Sequence, residues 1–256
     1  MTTVALPRAA TLFERNYMVH RSTWIIIFSG FFEPLFYLFS MGIGLGHYVG
    51  KVPGPNGLIS YASFIAPALL ATAAMNGAVY DSTSVFWKMK YARLYDAVLA
   101  TPVGPTDVAV GETAWALFRG LLYGFAFLIT AAVLGLVHSM WAVLALPSAL
   151  LVGFAFAGMG VAGATFMRNW QDFEFLNIVQ LPMFLFSATF YPLSVYPHWL
   201  QIVVRCTPLY NAIDLIRALM LGSVGMYQLV NVTYLAVFGL VGIVVSGRRV
   251  GKLLLK

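Results

Sequence analysis

Six long apolar runs constrain this chain more than any other feature. A hydrocarbon core about 30 Å thick is crossed by roughly 20 helical residues. Runs of that order lie at Trp24–Gly46, Ala62–Trp87, Thr113–Val137, Trp141–Met167, Phe173–Phe190 and Tyr227–Ser246. In lipid each run must satisfy its own backbone N–H and C=O groups, which favours helix over open strands. The sequence therefore predicts an all-α polytopic membrane protein with six transmembrane helices. Composition agrees: the chain is 61% hydrophobic and only 9% charged, whereas soluble domains carry about 25% charge. The first run is too long and starts too late for a signal-peptide core of about 7–15 residues. The single cysteine, Cys206, excludes an intramolecular disulfide framework and any cysteine cluster for zinc or iron–sulfur.

The net charge of +6 could be read as a nucleic-acid footprint, but its distribution speaks for orientation in a membrane, with no nucleic-acid partner. With both termini inside, inner segments carry Arg8, Arg15, Arg21, Lys88, Lys90, Arg93, Arg168, Arg248, Arg249, Lys252 and Lys256. Outer segments carry Lys51, Arg205 and Arg217, and Arg119 falls within the third run. The excess of cytoplasmic Lys and Arg that orients membrane proteins places both termini in the cytoplasm.

That orientation bears on the region between the fifth and sixth runs. Its two apolar pieces, Trp199–Thr207 and Leu209–Gly222, are interrupted by prolines, and each is shorter than a span. A single crossing would put the basic C-terminus outside, so the expectation is a pair of re-entrant half-helices returning to the outer face. The layout then reads as residues 1–23 a cytoplasmic amphipathic surface helix, 24–190 spans one to five, 191–226 the outer re-entrant helices, 227–246 span six and 247–256 a basic tail. Before the first span, apolar Leu12, Phe13, Tyr17 and Met18 alternate at helical spacing with Arg8, Arg15 and Arg21, a pattern suited to a helix lying on anionic lipid.

Several motifs mislead. Gly158-Met159-Gly160-Val161-Ala162-Gly163 matches a dinucleotide fingerprint, but that fingerprint needs a strand before it and a helix after it. Inside an apolar run it is a small-residue packing face. Gly247–Lys252 faintly resembles a phosphate-binding loop, yet Leu253 stands where Ser or Thr would hold magnesium. His20, His47, His138 and His198 are scattered, with no pair at metal-ligand spacing, so no metal site is expected. Neither a nucleophile–base pair nor a paired-carboxylate arrangement can be argued, and the expected role is non-catalytic. Trp24, Trp87, Trp141, Trp170 and Trp199 fall near span ends, as interfacial aromatics do.

Polar residues inside spans are costly and are candidates for function. Glu33, followed by Pro34, lies in the first span; Asn76 and Asp81 lie in the second, with Asp81 two turns from Lys88. Glu112 and Arg119 are seven apart at the start of the third, hence on nearly one helix face. Two readings stand for Glu33, Asn76 and Asp81: an intramembrane polar path touching substrate, or bonds to neighbouring helices. The first would also serve a self-contained secondary transporter or channel using Glu33 and Asp81.

The polar insert Lys88–Pro102 separates the second and third spans. Tyr91, Leu94, Tyr95, Val98 and Leu99 recur on one helical face, and Pro102, Gly104 and Pro105 stop the helix. Such an amphipathic cytoplasmic helix can lie on lipid or dock in a groove of a soluble partner.

Met89-Lys90-Tyr91-x-Arg93-x-Tyr95-Asp96-Ala97-x-Leu99-Ala100-Thr101-Pro102 resembles the first cytoplasmic loop of ABC type-2 permeases, the NodJ-like lipooligosaccharide and daunorubicin-type exporters. Pro67-x-Leu69 and Ala74-Met75-Asn76 are similar to that group's second span. Phe186-Ser187-Ala188-Thr189-Phe190-Tyr191-Pro192-Leu193, Pro208-Leu209-Tyr210 and Asp214-Leu215-Ile216-Arg217 are similar to its fifth span and outer helices. Ser187-Ala188-Thr189 departs from the group by lacking the Gly often found after Ser. The resemblance implies a permease in the plasma (inner) membrane of a bacterium, paired with a second permease chain as homo- or heterodimer. Two copies of an ABC ATPase would sit beneath, holding Mg-ATP, with no cofactor on this chain. The insert would be the coupling helix, its contact with the ATPase made by Tyr91, Arg93, Leu94, Tyr95, Asp96, Ala97, Thr101 and Pro102. The implied cargo is amphipathic: a glycolipid, a lipid-linked saccharide or a hydrophobic drug.

Overall fold

The structure is a computed structural model that describes residues 6–21, 32–55, 57–91 and 94–254. It is predominantly helical. Helix α1 (Leu6–Arg21) is followed by a helical stretch, α2, at 32–49, whose middle, Leu38–Leu45, is wound as a π-helix. A short hairpin of β1 (Lys51–Gly54) and antiparallel β2 (Gly57–Ser60) leads into α3 (Tyr61–Lys90). Then come α4 (Leu94–Leu99), α5 (Pro105–Val133), α6 (Ala145–Ala164), α7 (Phe173–Phe186), α8 (His198–Arg205), α9 (Pro208–Leu221) and α10 (Tyr227–Leu254).

Local chemistry sets these boundaries. The Ser60 hydroxyl accepts the Ser63 N–H at the start of α3, which satisfies one of the orphan donors of a first turn. Pro105 opens α5 at a position where the missing N–H costs nothing. Thr207 caps α9 and Pro208 opens it, while Gly222 ends it at φ 79°, the left-handed conformation that glycine adopts without penalty.

Among the described residues four helical segments are long and apolar enough to cross a membrane: Tyr61–Lys88, Val110–Val133, Met140–Ala164 and Tyr227–Arg249. They correspond to the second, third, fourth and sixth runs. The first run lies partly outside the described residues. The fifth differs from expectation: α7 has 14 residues and stops at Phe186, where the sequence predicts continuation to Phe190. Fourteen residues rise about 21 Å, less than the hydrocarbon thickness. Two further differences are local. The hairpin at Lys51–Ser60 interrupts an otherwise helical chain, its strands too short and too rich in Pro and Gly to read as strands. Helix α10 continues to Leu254, through the stretch expected to be a tail.

The main core lies where α3 meets α6, α9 and α10. Ile65, Leu70, Met75, Val152, Ile213 and Ile216 are fully buried there. Helices α6 and α10 approach through glycine: a Cβ on Gly242 would lie 2.3 Å from the carbonyl carbon of Gly158. Gly158 thus belongs to a packing face. A smaller cluster at the other end joins Leu12, Val85, Phe86, Val108, Val161 and Ala164. Helix α1 is docked there, its Phe13 ring 5.6 Å from Trp115 and 5.5 Å from Phe118 on α5. Its Tyr17 and Met18 remain exposed.

Candidate functional site

Helices α2, α3, α5 and α7 line a half-open cavity of about 750 Å³. Its polar wall is drawn from all four: Glu33 from α2, Asn76 from α3, Arg119 from α5, and Asn177 and Gln180 from α7. Tyr37, Tyr80, Tyr123 and Phe184 add aromatic side chains. The Gln180 amide donates from Nε2 to Oδ1 of Asn76 at 2.5 Å, and Asn76 Nδ2 donates to Oε1 of Glu33 at 3.4 Å. Three helices are thereby stitched together by a carboxamide chain that ends on a carboxylate.

Below the cavity α3 and α5 run antiparallel, with Gly77 against Tyr123, Asp81 against Arg119 and Lys88 against Glu112. Arg119 Nη1 donates to Asp81 Oδ1 at 2.6 Å, and Nη2 donates to the Tyr123 hydroxyl at 3.2 Å. Lys88 Nζ meets Glu112 Oε2 at 2.7 Å. Buried Asn16 of α1 joins the second pair, donating to Glu112 Oε2 at 3.0 Å and accepting from Lys88 at 3.2 Å. All four charged side chains are largely withdrawn from solvent. Ion pairing at this depth satisfies charges that would otherwise be prohibitive in lipid.

On the other side of the cavity α7 breaks into irregular backbone at 187–191, buried at Ser187, Ala188, Thr189 and Phe190. Such backbone persists at membrane depth only where its polar groups find partners in protein. Here one side chain of the segment itself and two distant ones make the contacts. The Thr189 hydroxyl donates to the Phe184 carbonyl at 2.7 Å, the Tyr61 hydroxyl to that of Phe190 at 3.2 Å, and Arg217 Nη2 to that of Ala188 at 2.9 Å. The same Arg217 nitrogen reaches the Phe64 carbonyl at 3.3 Å, with the guanidinium carbon 4.1 Å from the centre of the Phe64 ring. Ala188 has φ 57°. It is the residue after Ser187, where the resemblance puts glycine, and the left-handed backbone gives the physical reason for glycine there.

The insert divides differently from the single amphipathic helix the sequence predicts. Tyr91 N–H closes the last turn of α3 on the Trp87 carbonyl, so Tyr91 belongs to that helix end and Leu94 to the next helix. Leu94 and Val98 pack against the small cluster near Phe86 and Val108. Tyr91, Ala97, Thr101 and Pro102 face outward. Arg93 lies outside the described residues, as do the side chains of Tyr95, Asp96 and Leu99.

Of the three intramembrane candidates, Glu33 and Asn76 meet at the cavity, while Asp81 is joined to it through Arg119. Gln180, Asn177 and Tyr123 were not singled out by sequence reasoning, since a lone amide or phenol in an apolar run has no distinguishing local pattern. The ion pairs did have a signal: Asp81 and Lys88 are seven apart, as are Glu112 and Arg119, acid before base in both, so that antiparallel packing sets opposite charges together. Among the described residues no group of three or more His, Cys, Asp or Glu is arranged to hold a metal.

Long apolar helices packed around an intramembrane polar chamber define a polytopic membrane protein of the transporter class. The chain belongs to the ABC-2 type transporter family, whose sequence model matches residues 8–221; it is a membrane permease subunit of an ABC transporter. It is 34% identical over 215 residues to Nodulation protein J of Rhizobium leguminosarum bv. viciae, covering 83% of this chain and 82% of that protein. It is 33% identical over 230 residues to Nodulation protein J of Sinorhizobium fredii, covering 89% and 86%. It is also 27% identical over 182 residues to the inner membrane transport permease YadH of Escherichia coli, covering 69% and 70%.

Proposed function

We propose that this chain is the non-catalytic permease half of an exporter that moves an amphipathic substrate, such as a glycolipid, lipid-linked saccharide or hydrophobic drug, out of the cytoplasm or the inner leaflet. The observation that carries the reading is the family match across residues 8–221 in a chain whose insert after α3 presents Tyr91, Ala97, Thr101 and Pro102 outward. Energy comes from Mg-ATP on two copies of a separate ABC ATPase. The insert couples to that ATPase: Tyr91, Arg93, Tyr95, Asp96, Ala97, Thr101 and Pro102 form the contact, and Leu94 passes its movement into the bundle cluster.

In this reading the protein lies in the bacterial inner membrane with six spans and both termini cytoplasmic, and pairs with an identical or related permease. Helix α1 rides the inner surface, where basic residues favour anionic lipid. Helices α8 and α9 are the outer re-entrant pair. The cavity at Glu33 and Asn76 is the part of the path that this subunit contributes. The alternative, a secondary transporter driven through Glu33 and Asp81, needs a relay of titratable groups, and the ion pair of Asp81 with Arg119 removes one of them.

The test is co-purification of the chain with a phosphate-loop ATPase, followed by transport in vesicles. Arg93→Ala and Asp96→Ala should weaken that assembly or uncouple ATP hydrolysis from transport. Undiminished ATPase stimulation and transport in both variants would sink the coupling assignment, and gradient-driven transport by the lone chain would favour the alternative.

A further inference from the structure

We infer that the cavity selects substrates carrying a protonated amine, and that Glu33 is the residue that sets this charge preference. The inference rests on the reading of the cavity as part of the transport path.

Two charged side chains line the cavity, Glu33 and Arg119. Arg119 is matched by Asp81 at 2.6 Å, so its positive charge is met within the protein. Glu33 forms no ion pair among the described residues and has only a long hydrogen bond, 3.4 Å, from the neutral amide of Asn76. The neighbouring segment 22–31, outside the described residues, contains no Asp, Glu, Lys or Arg, so it supplies no countercharge. Among the described residues the chamber therefore presents one unmatched negative charge. Glu33 is exposed on the open side of the cavity in the single chain; at membrane depth an unmatched carboxylate is costly, and a bound cation offsets that cost more than a neutral group would.

The rest of the lining fits the same ligand. The aromatic side chains of Tyr37, Tyr80 and Phe184 line the space, and aromatic rings attract ammonium groups, more strongly when desolvated; the Tyr123 ring is already faced by Arg119, 5.8 Å from its centre. Asn177 is a further neutral polar group. The apolar remainder, including Leu69 and Ile178, suits the hydrocarbon part of an amphiphile. An anionic headgroup would meet the Glu33 charge directly and find its natural partner, Arg119, already engaged.

The test uses the full chain in nanodiscs of neutral phosphatidylcholine and three fluorescent probes of identical tail and chromophore. One ends in a tertiary amine, one in an alcohol and one in a sulfonate. The amine probe should bind about tenfold tighter than the alcohol, a difference of about 1.4 kcal/mol, and the sulfonate weakest. Glu33→Gln should erase the amine preference, bringing the amine and alcohol affinities within about twofold of each other, and Glu33→Asp should restore part of it. Equal binding of amine and alcohol by the unsubstituted chain overturns the inference, as does a preference that survives Glu33→Gln. Should Glu33→Gln not survive purification, the ranking of the three probes on the unsubstituted chain decides. The assay contains no ATPase. Its failure leaves the coupling reading untouched, and failure of ATPase co-purification leaves its result untouched.

Discussion

Asp81 and Arg119 pair across antiparallel helices at 2.6 Å, and Lys88 and Glu112 repeat the pairing two turns along at 2.7 Å with the charges exchanged between helices. The arrangement specifies register. Sliding α3 by seven residues against α5 would bring Asp81 to Glu112 or Lys88 to Arg119, setting like charges together. Hydrophobic packing alone discriminates poorly between such slips in runs of small and apolar residues.

Removing one partner of such a pair strands the other. Arg119→Met should destabilise the protein by about 3–5 kcal/mol, and the double variant Asp81→Asn with Arg119→Met should recover most of that loss. Unfolding in detergent, followed by tryptophan fluorescence, measures both. Equal stability of the single variant and the unsubstituted protein would contradict the burial of the pair.

Ala188 holds a left-handed φ of 57° in a fully enclosed segment. Ala188→Gly should raise stability by about 1 kcal/mol, because the backbone strain outweighs the greater freedom glycine gives the unfolded chain. Ala188→Val should lower it. The thermal midpoints of the two variants should therefore move in opposite directions.

The contact of α6 with α10 leaves no room for side chains at its centre. A Cβ at Gly242 would lie 2.3 Å from Gly158 carbon and 2.5 Å from Met159 nitrogen, both backbone atoms. Gly242→Ala should thus separate the helices and cost about 1–3 kcal/mol. Gly120→Ala, where a Cβ meets nothing within 4 Å, is the control and should be neutral or slightly stabilising.

Arg217 gathers two carbonyls and an aromatic ring through one planar guanidinium. Lysine cannot reproduce that fork and stacking surface. Arg217→Lys should loosen the 187–191 segment, raising hydrogen exchange at Thr189 and Phe190 while amides in the middle of α3 stay protected. Uniform exchange across both regions would instead indicate global destabilisation.

Elements with strong periodicity were legible in the sequence. Helix α1 is formed over Leu6–Arg21, where apolar positions repeat locally. Asn76 could be picked out as an intramembrane polar residue, but its partners, Glu33 and Gln180, are 43 and 104 positions away. Likewise nothing near Phe186 in sequence announces the end of α7. The break is sustained by Tyr61 and Arg217, which only folding brings to it.

Membrane class was decided by the sequence itself, since hydropathy over about 20 residues is a local property and lipid leaves helix as the outcome. The complementary spacing of Asp81 with Lys88 and of Glu112 with Arg119 was also present in the chain. Tertiary structure alone decided which helices became neighbours. That choice turned Asp81 from a candidate relay group into the countercharge of Arg119, and left Glu33 without an ion pair among the described residues. The reason is physical: an ion pair or a filled carbonyl depends on the distance between side chains, and that distance is set by packing rather than by separation along the chain.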